Sequence, residues 1–550
     1  MIETASRPDS RKRSSAVWLG LLAVIVFFGW LRFRLLEVPL ERDEGEYAYI
    51  AQLMLRGIPP YLAAYSMKLP GIFLVYAGIL LAFGQTAAGI HLGLLVAVSL
   101  STVLVFVLAR RLLNDAGAIA AAACFALLSA GQAVKGFNAN AEPFILPLAL
   151  GGLLLLLKGL EGRQAGLWLF LSGLSFGGAF LIKQHGAAFG IFGGLYLLGA
   201  LGRARTDPLR RKIAMLAAYV CGTILPFATV VLIFISLGIF RKFWFYTFVY
   251  SRTYVSHTSM DEAMVSLFWS LRDVVVAAPL IWAAAVLGLF FVARKRWAGG
   301  SRSFWVGFAA VSFLALVPGF YFRTHYFILV FPAIACLTGA AAMTALKAFK
   351  KAIPGRRAFG AVVALLAVVF FGSQIYHQRK LFFAANAWEA SWEMYGPQPF
   401  FFNEARQIAQ RLKPSLSAED TIAVVGSEPE IYFYLGRKAP TGFLYIYYLT
   451  EEQPYAPAMQ AEFIRDLESK LPDYLIYASS WKAGYVSPEA YDGLFRWYEK
   501  FRDRHYELIG LVDIISRRLT IFRWDDEVRG YKFRSPCRIL VYRRRAPLSE

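Results

Sequence analysis

The chain has 550 residues, 57% hydrophobic and 17% charged, a balance that excludes a soluble globular protein and points to a polytopic membrane protein. Its formal charge of +21 is unevenly spread: residues 377–550 carry 24 basic and 23 acidic side chains, leaving 34 basic and 14 acidic before them. The excess sits mostly in short connections between apolar runs, the positive-inside pattern, so nucleic acid is not needed to explain it.

An Arg11-Lys12-Arg13 patch precedes the first apolar run, 16–36. That run is long enough to span and lacks a small-residue cleavage site, so it reads as an uncleaved first helix. At roughly 20 apolar residues per crossing, further spans are predicted near 87–109, 116–134, 142–158, 165–182, 186–201, 213–237, 273–293, 303–320, 326–346 and 358–376, about eleven in all. With the N-terminus inside, the basic connections at 110–111, 158–163, 203–212, 294–302 and 347–357 all return to the cytoplasmic side. Merging the spans on either side of Lys183-Gln184-His185 would invert every later loop.

The external side then receives the first loop (37–86), the short loops 135–141 and 183–185, a longer loop 238–272, the corner 322–326 and everything after about 377. Within the first loop, 46–55 reads as a short amphipathic helix lying at the interface, and 69–83 as re-entrant or interfacial. In the tail, 421–426, 474–478 and 538–542 read as strands, with helical patterns near 428–435, 457–471 and 488–502. The expected division is a membrane domain, 1–376, and an external α/β domain, 377–550. Gly426 follows a strand, but no GxGxxG or GxxxxGK[ST] is present, so a Rossmann cofactor site is not expected. The 4 cysteines offer neither a disulfide within the tail nor a zinc-like spacing.

Chemistry-bearing residues collect on that external side. Asp43 and Glu44 stand together at the mouth of the first span, where carboxylates are costly and usually functional; as an alternative they cap the helix that follows. Lys68 in Met67-Lys68-Leu69-Pro70 puts a cation on the same loop, or it snorkels to head groups. Glu142, before Pro143 and after Asn138, suits both a helix start and a second carboxylate. Lys183 and Gln184 interrupt an apolar region. Arg323 offers a planar guanidinium, and His325 and Tyr326 follow it, either as part of a site or as part of an aromatic belt. Glu428 and Glu430 read as carboxylates at a helix N-terminus.

The sequence from Glu41 to Tyr47, then Tyr-Ala-Tyr-Ile-Ala, a Gly-Ile-Pro-Pro-Tyr turn and a Lys-x-Pro, resembles the first external loop of lipid-linked-sugar glycosyltransferases. These are the family 39 protein O-mannosyltransferases and aminoarabinose (lipid A) transferases of GT-C type. The resemblance covers about 16–346 and is strongest over 41–78; Leu69 stands where the most familiar version has a first proline. It implies a polytopic α-helical GT-C membrane protein with a C-terminal α/β external domain. The implied reaction is transfer of a sugar from a polyprenyl-phosphate donor to a hydroxyl of a glycan, lipid or protein acceptor, with inversion, at the periplasmic face of a bacterial inner membrane.

By the same resemblance Asp43 is the general base, supported by Glu44 and Glu142. Lys68, Lys183 and Arg323 neutralise the leaving phosphate, and Tyr47, Asn138, Gln184, His325 and Tyr326 bind substrate. The resemblance makes no cofactor certain and leaves room for a divalent metal. One class of relatives holds a divalent metal on a His and a carboxylate from external loops, which nominates His257 here. The rival reading is a transporter or flippase of a lipid-linked substrate; such proteins often show internal repeats and broken mid-membrane helices, whereas here the polar residues gather at one interface.

Overall fold

The computed structural model describes residues 9–162, 164–204, 206–256, 258–294, 302–353, 355–395, 401–479, 488–516 and 519–546. By internal contacts the chain divides into two units. One comprises Met1–Leu36, His91–Ile233 and Thr258–Ala390, the other Glu37–Ile90, Phe234–His257 and Ser391–Glu550. The division runs through the chain several times, because loops between membrane helices gather with the tail.

Among the described residues, 8 helices are long and apolar enough to cross a membrane, or up to 9 if one bent pair counts as a span. Helices such as Leu209–Ser236 and Arg357–His377 leave most of their apolar side chains uncovered, 17% and 6% buried respectively. In water such surfaces would drive aggregation; in lipid they are the expected exterior. The protein is therefore a multi-pass membrane protein.

Three of the eleven expected spans take other forms. The run at 116–134 forms only Asp115–Ser129, 15 residues. It stops where buried Arg32 donates to the carbonyls of Ser129 at 2.8 Å and Gly136 at 2.5 Å, satisfying acceptors that a longer helix would have used. The run at 273–293 belongs to a pair, Met260–Ala277 and Pro279–Arg294, bent by 100°; Pro279 has no N–H to continue the ladder and disfavours helical backbone at Ala278. The run at 303–320 shortens to Arg302–Leu314, 13 residues. The short helix Asp115–Ser129 is nonetheless buried. It lies against Phe331–Ala352, with Gly117 and Gly339 meeting backbone to backbone, the close approach that small residues permit between membrane helices.

In the second unit the tail builds a five-stranded mixed sheet. Its strands are β1 (Ile422–Val425), β2 (Tyr474–Ser479), β3 (Tyr506–Ser516), β4 (Leu519–Trp524) and β5 (Arg538–Arg544), in the order β1-β2-β5-β3-β4. Only β1 and β2 run parallel; the other pairs are antiparallel. β1, β2 and β5 coincide with the expected strands. The β3–β4 hairpin was not expected: in Leu508-Ile509-Gly510-Leu511-Val512 apolar residues follow one another without alternation, and the register shifts at a bulge between Leu508 and Gly510.

The first-loop helix begins at Arg42 and runs to Leu55, with ten of its residues buried. It is enclosed along most of its length instead of presenting one open polar face. It packs against the tail helix Glu430–Leu435, and Gly45 makes this possible: a Cβ there would meet the Glu430 backbone nitrogen at 2.5 Å. Hydroxyls fasten the same contact. The Leu40 N–H donates to Tyr434 at 2.8 Å, and the Ala439 N–H to Tyr49 at 2.7 Å. Helix Gly71–Phe83, 13 residues, is about 20 Å long and too short to span alone.

Gly45→Ala should lower stability by about 1–3 kcal/mol, the cost of overpacking a close contact, read as the thermal midpoint in detergent. Met54→Leu, a volume-conserving change at the half-buried far end of the same helix, should cost less. Equal losses would mean that the Gly45 approach is not the critical contact.

Candidate functional site

The expected site residues fall into two constellations, one in each unit.

In the unit containing the first loop, the acidic run is divided between two tasks. Glu41 and Glu44 form a reciprocal capping box, with the Glu41 N–H donating to Glu44 Oε2 at 2.8 Å. Glu44 is fully buried in that role and closes the start of the helix. Asp43 keeps 31% of its side chain exposed, and its Oδ2 lies 3.4 Å from Lys68 Nζ. Lys68 is held through its backbone: its carbonyl accepts from the Tyr61 hydroxyl at 2.6 Å and its N–H donates to Ser66 Oγ at 3.1 Å. Tyr61 itself takes a left-handed backbone, φ 66, strain that its burial against Phe73 and Phe243 holds in place. Tyr47 is buried against Phe73 and Tyr76, and Lys68 Nζ sits 5.8 Å from its ring centroid.

Sequence reasoning missed Glu46. It lies three residues beyond Asp43, on the same side of the helix, and is fully buried. Its Oε2 lies within hydrogen-bond distance of the Tyr445 hydroxyl, at 2.9 Å. Burial pushes its carboxyl up to about 7; Lys68 pulls it down and Asp43 raises it further. The i, i+3 spacing from Asp43 is a signal the sequence contained; the partner Tyr445, 399 residues away, is not. Beside this group Arg42 approaches Glu428 at 3.9 Å. Burial raises Glu428 and raises Glu430 well above the usual carboxylate range. These two are therefore buried carboxyls packed against the first-loop helix, in addition to standing at a helix start.

In the other unit, Glu142 is fully buried at the start of helix Ala141–Glu161 and ion-paired to Lys183. His325 Nε2 lies 3.9 Å from the same carboxylate. Lys183 Nζ also sits 4.1 Å from the Tyr326 ring centroid, and Tyr326 packs edge-on against His185 and His325. Asn138 is buried in the loop before Glu142, its N–H bonded to the Lys135 carbonyl at 2.9 Å. Gln184 opens a 3₁₀ turn and lines an apolar cavity of about 360 Å³ with Ala187, Ile191, Val311 and Phe320. Arg323 is exposed, with its guanidinium 5.2 Å from the Tyr321 ring centroid. Thus Glu142, Lys183, His325 and Tyr326 come together.

His257 lies outside the described residues. Among the described residues no group of three or more His, Cys, Asp or Glu side chains is placed to hold a metal ion.

Two stability predictions follow from the buried charges. Lys183→Met strands the Glu142 carboxylate and should cost about 3–5 kcal/mol, with most of the loss recovered in the Glu142→Gln/Lys183→Met double variant; thermal midpoints of the four proteins decide it. Carboxyls raised by burial stabilise the fold fully below their unfolded value of 4.5, and that stability is lost as pH rises through their folded values. Melting temperature should therefore fall from pH 4.5 to above 7, and Glu430→Gln should flatten the fall.

Comparisons with known proteins can be set beside this geometry. Residues 67–249, less than half of the chain, match the family model of dolichyl-phosphate-mannose-protein mannosyltransferases. A comparison with curated protein sequences finds no match. Among solved structures, the chain is similar to ArnT from Cupriavidus metallidurans bound to undecaprenyl phosphate. Identity is 16%, coverage 88% of this chain and 95% of that one, and the TM-score 0.53. The archaeal oligosaccharyltransferase AglB from Archaeoglobus fulgidus, in complex with an inhibitory peptide and a dolichol-phosphate, aligns at 12% identity over 94% and 75% of the two chains, TM-score 0.49. With its bundle of apolar helices, its small C-terminal sheet and the mannosyltransferase match inside it, this chain has the GT-C glycosyltransferase fold.

Proposed function

We propose that the protein transfers a sugar from a polyprenyl-phosphate donor to an acceptor hydroxyl, with Asp43 as general base. The observation that carries this reading is the Asp43–Lys68 pair: a carboxylate and a cation 3.4 Å apart, each partly exposed, among otherwise buried acids. A base must reach the proton it removes, and Asp43 is the acid of the first-loop cluster that a substrate can reach. The acceptor oxygen loses its proton to Asp43 as it attacks the anomeric carbon. The bond from that carbon to the phosphate oxygen breaks, and the electron pair leaves with the lipid phosphate. A single displacement of this kind inverts the anomeric centre. Lys68 stands beside the base as a point charge for the departing phosphate.

Glu44 supports Asp43 by fixing the first turn of the helix that carries it. In the other unit, Lys183 is engaged by Glu142, so its part is to hold that carboxylate and the Tyr326 ring, with His325 beside them. Exposed Arg323 suits a phosphate, and the apolar cavity beside Gln184 suits a section of polyprenyl tail. The basic connections favour a site that faces the periplasm of a bacterial inner membrane, with a glycan, lipid or protein as acceptor. No step in this mechanism is routed through a metal.

The test is transfer of radiolabelled sugar from a panel of polyprenyl-phosphate sugars by protein in nanodiscs, with a membrane extract as acceptor. Asp43→Asn should lower turnover by about 10²–10⁴-fold while donor binding persists. Lys68→Met should raise the donor KM more than it lowers kcat. If Asp43→Asn transfers label as fast as the wild type, the assignment of the base fails.

A further inference from the structure

Tyr445 presents an uncommon arrangement at the edge of the Asp43–Lys68 pair. Its hydroxyl oxygen lies 2.9 Å from Glu46 Oε2 and 3.3 Å from the Arg42 carbonyl. A phenol has one proton to donate, so it cannot serve two acceptors at once. Both contacts are satisfied when Glu46 carries a proton: Tyr445 then donates to the carbonyl, and the Glu46 acid donates to the tyrosine oxygen. Full burial of Glu46 favours the same neutral form.

The surroundings give that proton a consequence. From its own helix, Asp43 faces Glu46; from the loop come Lys68 and the Ser66 hydroxyl. Tyr61 lies on the remaining loop side, and the tail contributes Tyr445, Tyr447 and Tyr448. Lys68 is the cation among these groups, and two carboxyls address it. When Glu46 is neutral, Lys68 faces the charge of Asp43 and not that of Glu46. When Glu46 is ionised, Lys68 stands between two negative charges, and an incoming phosphate meets a site with one more negative charge.

We propose that Glu46 is a positioning residue of this site, protonated when the site is competent to hold an anionic lipid headgroup and drawing Lys68 away from it when ionised. This rests on the reading of Lys68 as the phosphate's cation. It assigns to this chain a specificity for donor charge that is set by a buried acid and by a tyrosine of the C-terminal tail.

The experiment has two arms on the full-length protein in nanodiscs. In the first, infrared difference spectra are recorded between pH 5 and 9 for wild type, Glu46→Gln and Tyr445→Phe. Wild type should show a carboxylic-acid carbonyl band that titrates near pH 7 and is missing from Glu46→Gln. In Tyr445→Phe the band should persist with a shifted midpoint, because Tyr445 is hydrogen-bonded to Glu46 in either protonation state. In the second, the Kd of undecaprenyl phosphate is measured over the same range. Wild-type Kd should weaken above pH 7, by up to about tenfold per pH unit for a single controlling group, and Glu46→Gln should remove that slope while keeping the tight limit.

The acid is absent, and the proposal overturned, if wild type and Glu46→Gln give the same spectra. A titrating band together with an unchanged Kd slope in Glu46→Gln overturns the link to Lys68. Neither arm measures sugar transfer, so failure of the transferase reading would appear separately, as undecaprenyl phosphate binding without turnover.

Discussion

The contact on which the first-loop site depends is the close approach of Gly45 to Glu430. A helix that starts with three acids and is then buried on most sides has little reason to fold alone. It is held because a bare backbone at Gly45 lets the tail helix Glu430–Leu435 lie directly on it. Everything chemical in that unit follows from this seat. Glu44 turns inward to close the helix, Glu46 turns inward toward Tyr445, and Asp43 is left at the edge with Lys68. Burying Glu428 and Glu430 there is costly; their raised affinity for protons is the form that cost takes.

The two polar constellations solve the problem of charge in a membrane protein differently. Glu142 and Lys183 are both buried and matched to each other, with His325 and Tyr326 packed around them. Such a pair adds little net stability but penalises any arrangement that separates it, so it fixes where the Lys183 turn must sit against the start of helix Ala141–Glu161. Asp43 and Lys68 are at a looser distance and half open. A pair of that kind can exchange its partner for a substrate, whereas a closed pair cannot do so without stranding a charge.

Much of this was legible in the chain itself. Apolar runs separated by basic connections determined a polytopic membrane protein, since no aqueous fold accommodates that much apolar surface. The run from Glu41 to Lys68 nominated Asp43 and Lys68, which the fold brings within 3.4 Å of each other, and short β runs at 421–426, 474–478 and 538–542 declared a small sheet domain. Three helices were misjudged in length because hydropathy reads composition and not what ends a helix: Arg32 capping the carbonyls near Ser129, or Pro279 breaking the ladder.

Tertiary structure alone decided which acid does what. Four carboxylates within six residues, Glu41 to Glu46, look alike in sequence, and local spacing offered only caps or catalysis. Glu41 and Glu44 close the helix locally, but the burial of Glu46, which sets it apart from the exposed Asp43, involves groups hundreds of residues away: Tyr445, and Glu430 where the tail helix packs on Gly45. A carboxyl's chemistry is set by its burial and by the charges and donors around it, and those are properties of the folded surroundings that no local pattern encodes.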